Sequence, residues 1–263
     1  MPVNWDEVQK ALYPIKDYES LCQRLQVSFG YSFVITHFNC SMPQLVEYTE
    51  KLLGGDSKNR YTEYQQKLTR IFSQVHQAGV PDVLALVKRT ASRKLLEDFD
   101  QQSGIPAPDI ARVLKYLVYW LIPGEKYLSG LVQADPEISA AIKALAAIGV
   151  RTNLQLLERG HTSHGREELT ENTDLPDSMI TDLVSRADFS RLPWASKATI
   201  SNFIGAGYGS LSKLADADAE RLYEDFFRYG KSIGKNLKLG NEIENSYRIA
   251  KIVPRIVQEV QPI

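Results

Sequence analysis

Cysteine is nearly absent from this chain of 263 residues: there are two, Cys22 and Cys40. Their spacing matches no zinc-ligand pattern, so two reduced, partly buried thiols are expected rather than a disulfide framework. Histidine is equally sparse, with four residues. His161 and His164 stand three apart, but neither a cysteine nor a third histidine is near, and no metal site is expected. His37, in an apolar run, is expected to be a satisfied core residue. Long apolar runs are missing as well. The most apolar segment, Val113–Pro123, is too short to span a bilayer and contains Lys115, so no membrane insertion is expected. Asp6 and Glu7 stand where a secretory signal would be basic, which points to a cytoplasmic protein. There is no Gly-x-Ser-x-Gly elbow, no glycine-rich phosphate loop and no pair of carboxylates in helical register in an obvious cleft. No catalytic residues, no cofactor and no enzymatic activity are therefore expected.

Charge of one sign is not in excess either. The net charge is −1, which gives the whole molecule no bias toward polyanions. Its distribution is uneven, however. Residues 1–78 hold 8 basic and 8 acidic side chains, residues 79–225 hold 16 and 21, and residues 226–263 hold 7 and 3. The tail is the electrostatically distinct part.

What the sequence does contain is a repeated phrase. Gly79-Val80-Pro81-Asp82, Gly149-Val150-Arg151-Thr152 and Gly207-Tyr208-Gly209-Ser210 each separate two apolar, helix-patterned runs. A glycine can end a helix in the left-handed conformation without a Cβ penalty. Three residues on, Asp, Thr or Ser can cap the next helix. The phrase is the corner of a helical hairpin. The first two corners lie 70 residues apart, and the register then holds without a gap. Leu84, Leu86, Arg89, Glu97, Pro106, Ile110 and Pro123 return as Leu154, Leu156, Arg159, Glu167, Pro176, Ile180 and Pro193. The third corner follows after 58 residues, so the first repeat carries an extra loop, roughly Gly124–Pro136.

This pattern predicts an all-α protein, an array of hairpin repeats behind an N-terminal, mostly helical extension. The parts are residues 1–78, a first repeat 79–148, a second repeat 149–225 and a basic segment 226–263. Within the first part Asn4 is placed to cap a short helix, while Pro43–Leu53 and Arg60–Gln77 read as amphipathic helices. Val27–Phe38 is rich in β-branched and aromatic residues and fits a strand pair or a buried helix, which periodicity does not separate.

The stretch Gly149–Pro193, with the corner at Gly207 and Leu211-Ser212-Lys213-Leu214, resembles the bacterial domain-of-unknown-function family 4332. The resemblance extends over residues 79–255, counting the divergent first copy, and leaves 1–78 unassigned. It implies a pair of degenerate helix-hairpin-helix units, related to modules that often hold DNA. Arg248–Val260 resembles the closing helix found after such units.

A phosphate-holding hairpin needs a Gly-hydrophobic-Gly turn, so that backbone amides reach the phosphate oxygens. Repeat two offers Leu192-Pro193-Trp194-Ala195-Ser196 instead, and repeat one Ile122-Pro123-Gly124-Glu125. Only Gly207-Tyr208-Gly209 keeps the pattern. The segment that follows, Phe226-Phe227-Arg228-Tyr229 with Lys231, Lys235 and Lys238, interleaves aromatics with cations. Two functions follow. The first is a non-enzymatic interaction module, an adaptor or scaffold for an unidentified protein partner, presenting Trp194 and the Gly124–Pro136 loop. The alternative is nucleic-acid binding through Gly207, Gly209, Arg228, Tyr229, Lys231, Lys235 and Lys238. The sequence leaves the oligomeric state open.

Overall fold

The computed structural model describes residues 2–54, 61–133, 135–237 and 241–259. Among these there is no strand, and the chain is built from helices that group into two compact units, residues 1–124 and 125–263.

In the first unit the elements are α1 (Trp5–Leu12), α2 (Tyr18–Ser28), α3 (Ser32–Phe38), α4 (Met42–Gly54), α5 (Thr62–Gln77), α6 (Val83–Arg89), α7 (Arg93–Ser103) and α8 (Ala107–Tyr116). A π-helical turn, Leu117–Leu121, extends α8. Helix starts follow sequence chemistry. Asn4 accepts from the amides of Asp6 and Glu7, and Asp17, Asp82 and Ser92 each accept one amide of the turn they cap. The ambiguous stretch Val27–Phe38 is helical on both sides of a tight turn: it closes α2 and forms α3, burying Phe33, Val34 and Phe38 on one face. The core joins α1 to α8 and α4 to α5, with Leu12, Tyr18, Leu25, Phe33, Phe72 and Tyr116 fully buried. Burying each such side chain contributes about 1.5–3 kcal/mol. Polar tips inside this core are satisfied: Tyr18 donates to Thr90 O at 2.6 Å, and Thr49 Oγ1 lies 3.1 Å from Tyr116 Oη.

In the second unit a 3₁₀ turn (Leu128–Gly130) precedes α9 (Pro136–Ala147), α10 (Asn153–Gly160), α11 (Ser163–Thr173), α12 (Asp177–Phe189), α13 (Lys197–Gly205), α14 (Leu211–Ala215), α15 (Ala219–Ser232) and α16 (Asn241–Ala250). Pro176 stands immediately before the first turn of α12, where its missing N–H costs nothing. Its core is an aromatic chain: Phe189 stacks on Phe203 at 5.3 Å, and Phe203 meets Phe226 edge-on at 5.7 Å.

All three glycine corners take one geometry. Gly79, Gly149 and Gly207 have φ of 74°, 84° and 100°. The next residue is buried each time, and its amide reaches five residues back, from Val80 to Val75 O, Val150 to Leu145 O and Tyr208 to Phe203 O. Asp82, Thr152 and Ser210 then cap α6, α10 and α14. Two corners are also clasped from outside by one antiparallel bridge each, Ser41 with Asp82 and Tyr127 with Thr152. The hydrogen bonds correspond: Met42 N to Pro81 O and Val83 N to Cys40 O in one unit, Leu128 N to Arg151 O and Asn153 N to Lys126 O in the other. The Gly124–Pro136 segment is thus not a free loop. Tyr127 is exposed, but Leu128, Leu131 and Val132 are buried against the unit.

One expectation fails at the end of the chain. Of the stretch Arg248–Val260, residues 251–259 form no closing helix: α16 ends at Ala250 and the backbone runs on without regular structure to Glu259, and Val260 lies outside the described residues. Pro254 lacks an amide and disfavours helical backbone at Val253.

Candidate functional site

The features singled out in the sequence gather in the second unit around the third corner and α15. At the corner, only Gly207 needs its glycine, with φ +100°, whereas Gly209 lies outside the left-handed region. Two amides of the corner are engaged. Gly207 N donates to Ile204 O at 3.0 Å and Tyr208 N to Phe203 O at 3.0 Å, both closing α13. Ser210 Oγ donates to Glu259 Oε1 at 2.8 Å, which sets a carboxylate on the turn.

The corner forms one wall of an open concavity of about 920 Å³. Its charged lining is Lys213, Arg221 and Arg255 against Asp216, Asp218, Asp225 and Glu259. The acids outnumber the bases, and Arg255 makes a two-pronged pair with Asp216. That pair holds the Asp216 carboxyl below its usual range. Tyr208 donates to Asp225 Oδ2 at 3.0 Å, and burial together with that neighbour pushes its hydroxyl up to about 12.

Helix α15 forms because Asp218 caps it and Leu222 and Phe226 fall on one buried face. Leu222, Phe226 and Gly230 point into the unit. Tyr229 is half-buried and lies against Gly205, where a Cβ would come within 2.2 Å of its ring. Arg228 is exposed and reaches Asp225 at 3.1 Å. The adjoining flank carries Tyr223 and Phe227, 61% and 54% exposed, four residues apart. Lys231, one turn on, lies 4.5 Å above the Phe227 ring. Glu220 and Glu224 stand exposed on the same helix. Gly234, φ +66°, ends the helical course, and Lys235 N donates back to Gly230 O at 2.8 Å. Lys238 lies outside the described residues.

Trp194 stands on the turn between α12 and α13, half exposed, at φ +61°. It holds the left-handed position that glycine would take in a phosphate-holding turn, at a conformational cost of about 1–2 kcal/mol. The two histidines lie apart in role. His161 Nδ1 is 2.8 Å from Leu157 O, while His164 faces Glu167 and Glu168 on the α11 surface.

The structure therefore joins the Gly207 corner to Arg228 and Tyr229 through Asp225 and Gly205. Sequence reading missed Tyr223 and Phe227 as an exposed pair, although their spacing of four, on the flank beside Leu222 and Phe226, carried the signal. It also missed two buried arginines, Arg166 and Arg191, which no pattern in the sequence marks.

Among the described residues, no helix is long and apolar enough to cross a membrane. No curated protein and no solved structure matches the chain. Residues 138–244 match the model of the family described as "Domain of unknown function (DUF4332)", a match that begins inside α9 and leaves residues 79–137 outside it. The segment that builds the second and third corners and α15 is thus similar to the DUF4332 family.

Proposed function

We propose that the chain is a non-enzymatic helical module that binds a protein partner through the second unit. The observation that carries this reading is the third corner. Its amides close α13, Glu259 occupies its hydroxyl, and the concavity beside it is lined by more carboxylates than cations. Phosphate would find the Gly207 and Tyr208 amides taken and would be repelled by the lining. Trp194, Tyr223 and Phe227 offer the aromatic contact area that protein interfaces favour at their centres. The cations of α15 fit a rim, since Arg228 already answers Asp225 and Lys231 rests on Phe227.

The test is a titration of labelled duplex DNA, single-stranded DNA and RNA at about 50 and about 200 mM salt, beside a Lys231/Lys235/Lys238→Ala variant. No retention at the lower salt is expected. Tight binding that collapses with salt and with the lysines would reverse the reading and make the basic segment a nucleic-acid site.

A further inference from the structure

The segment after α16 makes its contacts with the rest of the second unit rather than with itself. Arg191 Nη2 donates to Pro254 O at 3.1 Å, and Arg166 Nη2 donates to Gln258 O at 3.0 Å. Gln258 N donates to His161 O at 2.8 Å, and Ser163 N, in the first turn of α11, donates to Gln258 Oε1 at 3.1 Å. Ser210 closes the row on Glu259. Val253 and Ile256 are seated as apolar anchors, while Gln258 and Glu259 stay exposed at the edge. Both arginines are buried, 2% and 8% exposed, and are fixed from beneath. Arg191 is held by Asp188 at 2.6 Å and Arg166 by Gly160 O at 3.2 Å. A cavity of about 180 Å³ continues along the segment, and within its wall the buried hydroxyl of Thr181 has no hydrogen-bond partner.

This is how a groove holds a peptide: main-chain acceptors read by fixed donors, with two apolar side chains, Val253 and Ile256, seated. We infer that residues 254–259 are a resident, displaceable occupant of a peptide-binding groove. The partner it fits is an extended protein segment of the same chemistry, a β-branched anchor, one further residue and then Gln-Glu. The inference rests on the protein-binding reading and gives it a site and a class of partner. A peptide suits the groove better than a nucleic acid does. The Asp188 carboxylate beneath Arg191 would repel phosphate, and the seats of Val253 and Ile256 call for aliphatic side chains. An occupant tethered in cis lowers the apparent affinity of a free one by the fraction of time the groove stands open.

The experiment uses the full chain and a fluorescein-labelled peptide, Val-Pro-Arg-Ile-Val-Gln-Glu, copied from residues 253–259. Anisotropy is followed to roughly 1 mM peptide, the scale of the effective concentration of a short tether. The Gln258→Ala/Glu259→Ala variant, in which the resident segment loses two clamps, is expected to bind the peptide about tenfold more tightly than the natural chain. Adding Arg166→Met is expected to reverse that gain, and Arg166→Lys to reverse it in a chain that keeps the charge; circular dichroism verifies folding of each. Absence of binding by the weakened variant, or binding indifferent to Arg166, would overturn the inference. So would a single-stranded oligonucleotide that binds the weakened variant where the peptide does not. Failure of the peptide together with failure of nucleic acids in the salt titration would leave the protein-binding reading in place, without this groove.

Discussion

At the scale of single residues, glycine is required where φ is left-handed and dispensable where it is not, and one corner contains both cases. Gly149 and Gly207 have φ of 84° and 100° with open space where a Cβ would stand, whereas Gly209 has the same space and no such φ. Gly149→Ala is expected to cost about 1–2 kcal/mol, seen as a lower urea midpoint. Gly209→Ala is expected to stay within about 0.5 kcal/mol. A comparable loss at Gly209 would show that the corner geometry is misassigned. Trp194 is the inverse case, a bulky residue at φ +61°. Trp194→Gly relieves the backbone but gives the unfolded chain more freedom, so the midpoint is expected to move by less than about 1 kcal/mol. Binding of the partner is expected to fall. A variant as active as the natural chain would remove Trp194 from the interface.

At the scale of elements, what the sequence made legible was the punctuation. Asp82, Thr152 and Ser210 cap the helices they precede, and Arg89 and Arg159 have one job at their two corners. Arg89 Nη1 lies 3.5 Å from Ala78 O and Arg159 Nη1 lies 3.1 Å from Ile148 O, each a carbonyl at the end of the helix before the corner. Cations there satisfy orphan carbonyls and favour the helix dipole. Thr152→Ala, which breaks a reciprocal capping box with Gln155, is expected to cost about 1 kcal/mol. Arg159→Ala is expected to cost less, about 0.5 kcal/mol, because its contact is exposed. Both are read from chemical denaturation, and the opposite order would mean that the arginine, not the cap, holds the corner. Less legible was Val27–Phe38, since β-branched and aromatic residues suit strands and buried helices alike. Burial of Phe33, Val34 and Phe38 decides for a helix. The end of the chain was misread for a related reason. Its apolar residues match a helical face, but Pro254 and the donors Arg191 and Arg166 draw it out as an extended segment.

At the scale of the whole molecule, several titrating groups are sunk in the first unit. Burial pushes the Cys22 and Cys40 thiols up to about 11, raises Tyr64 to about 12, and raises Tyr18 and Tyr116 further. Thiols of the unfolded chain release their protons near pH 8.5. Between there and about 11 the folded state binds more protons than the unfolded one, so stability falls as pH rises through that window. The urea midpoint of the first unit is expected to be lower at pH 10.5 than at pH 8, and a Cys22→Ala/Cys40→Ala chain should lose less over the same interval. Equal losses would mean that the thiols do not titrate differently on folding. The same burial predicts slow alkylation of both thiols in the native chain at pH 8 and rapid alkylation in urea.

The sequence by itself determined the local rules: all-helical elements, the three corners with their glycines and caps, and the arginines, Arg89 and Arg159, that follow the first two corners. These depend on backbone conformation and on neighbours within a turn or two, which the order of residues specifies directly. Only the tertiary structure decided which donors remain open. It placed Glu259 on Ser210, closed α13 with the amides of the Gly207 corner, turned Tyr223 and Phe227 outward and aimed Arg166 and Arg191 at the last residues of the chain. Those outcomes join residues up to 92 positions apart, and no local pattern encodes such a pairing.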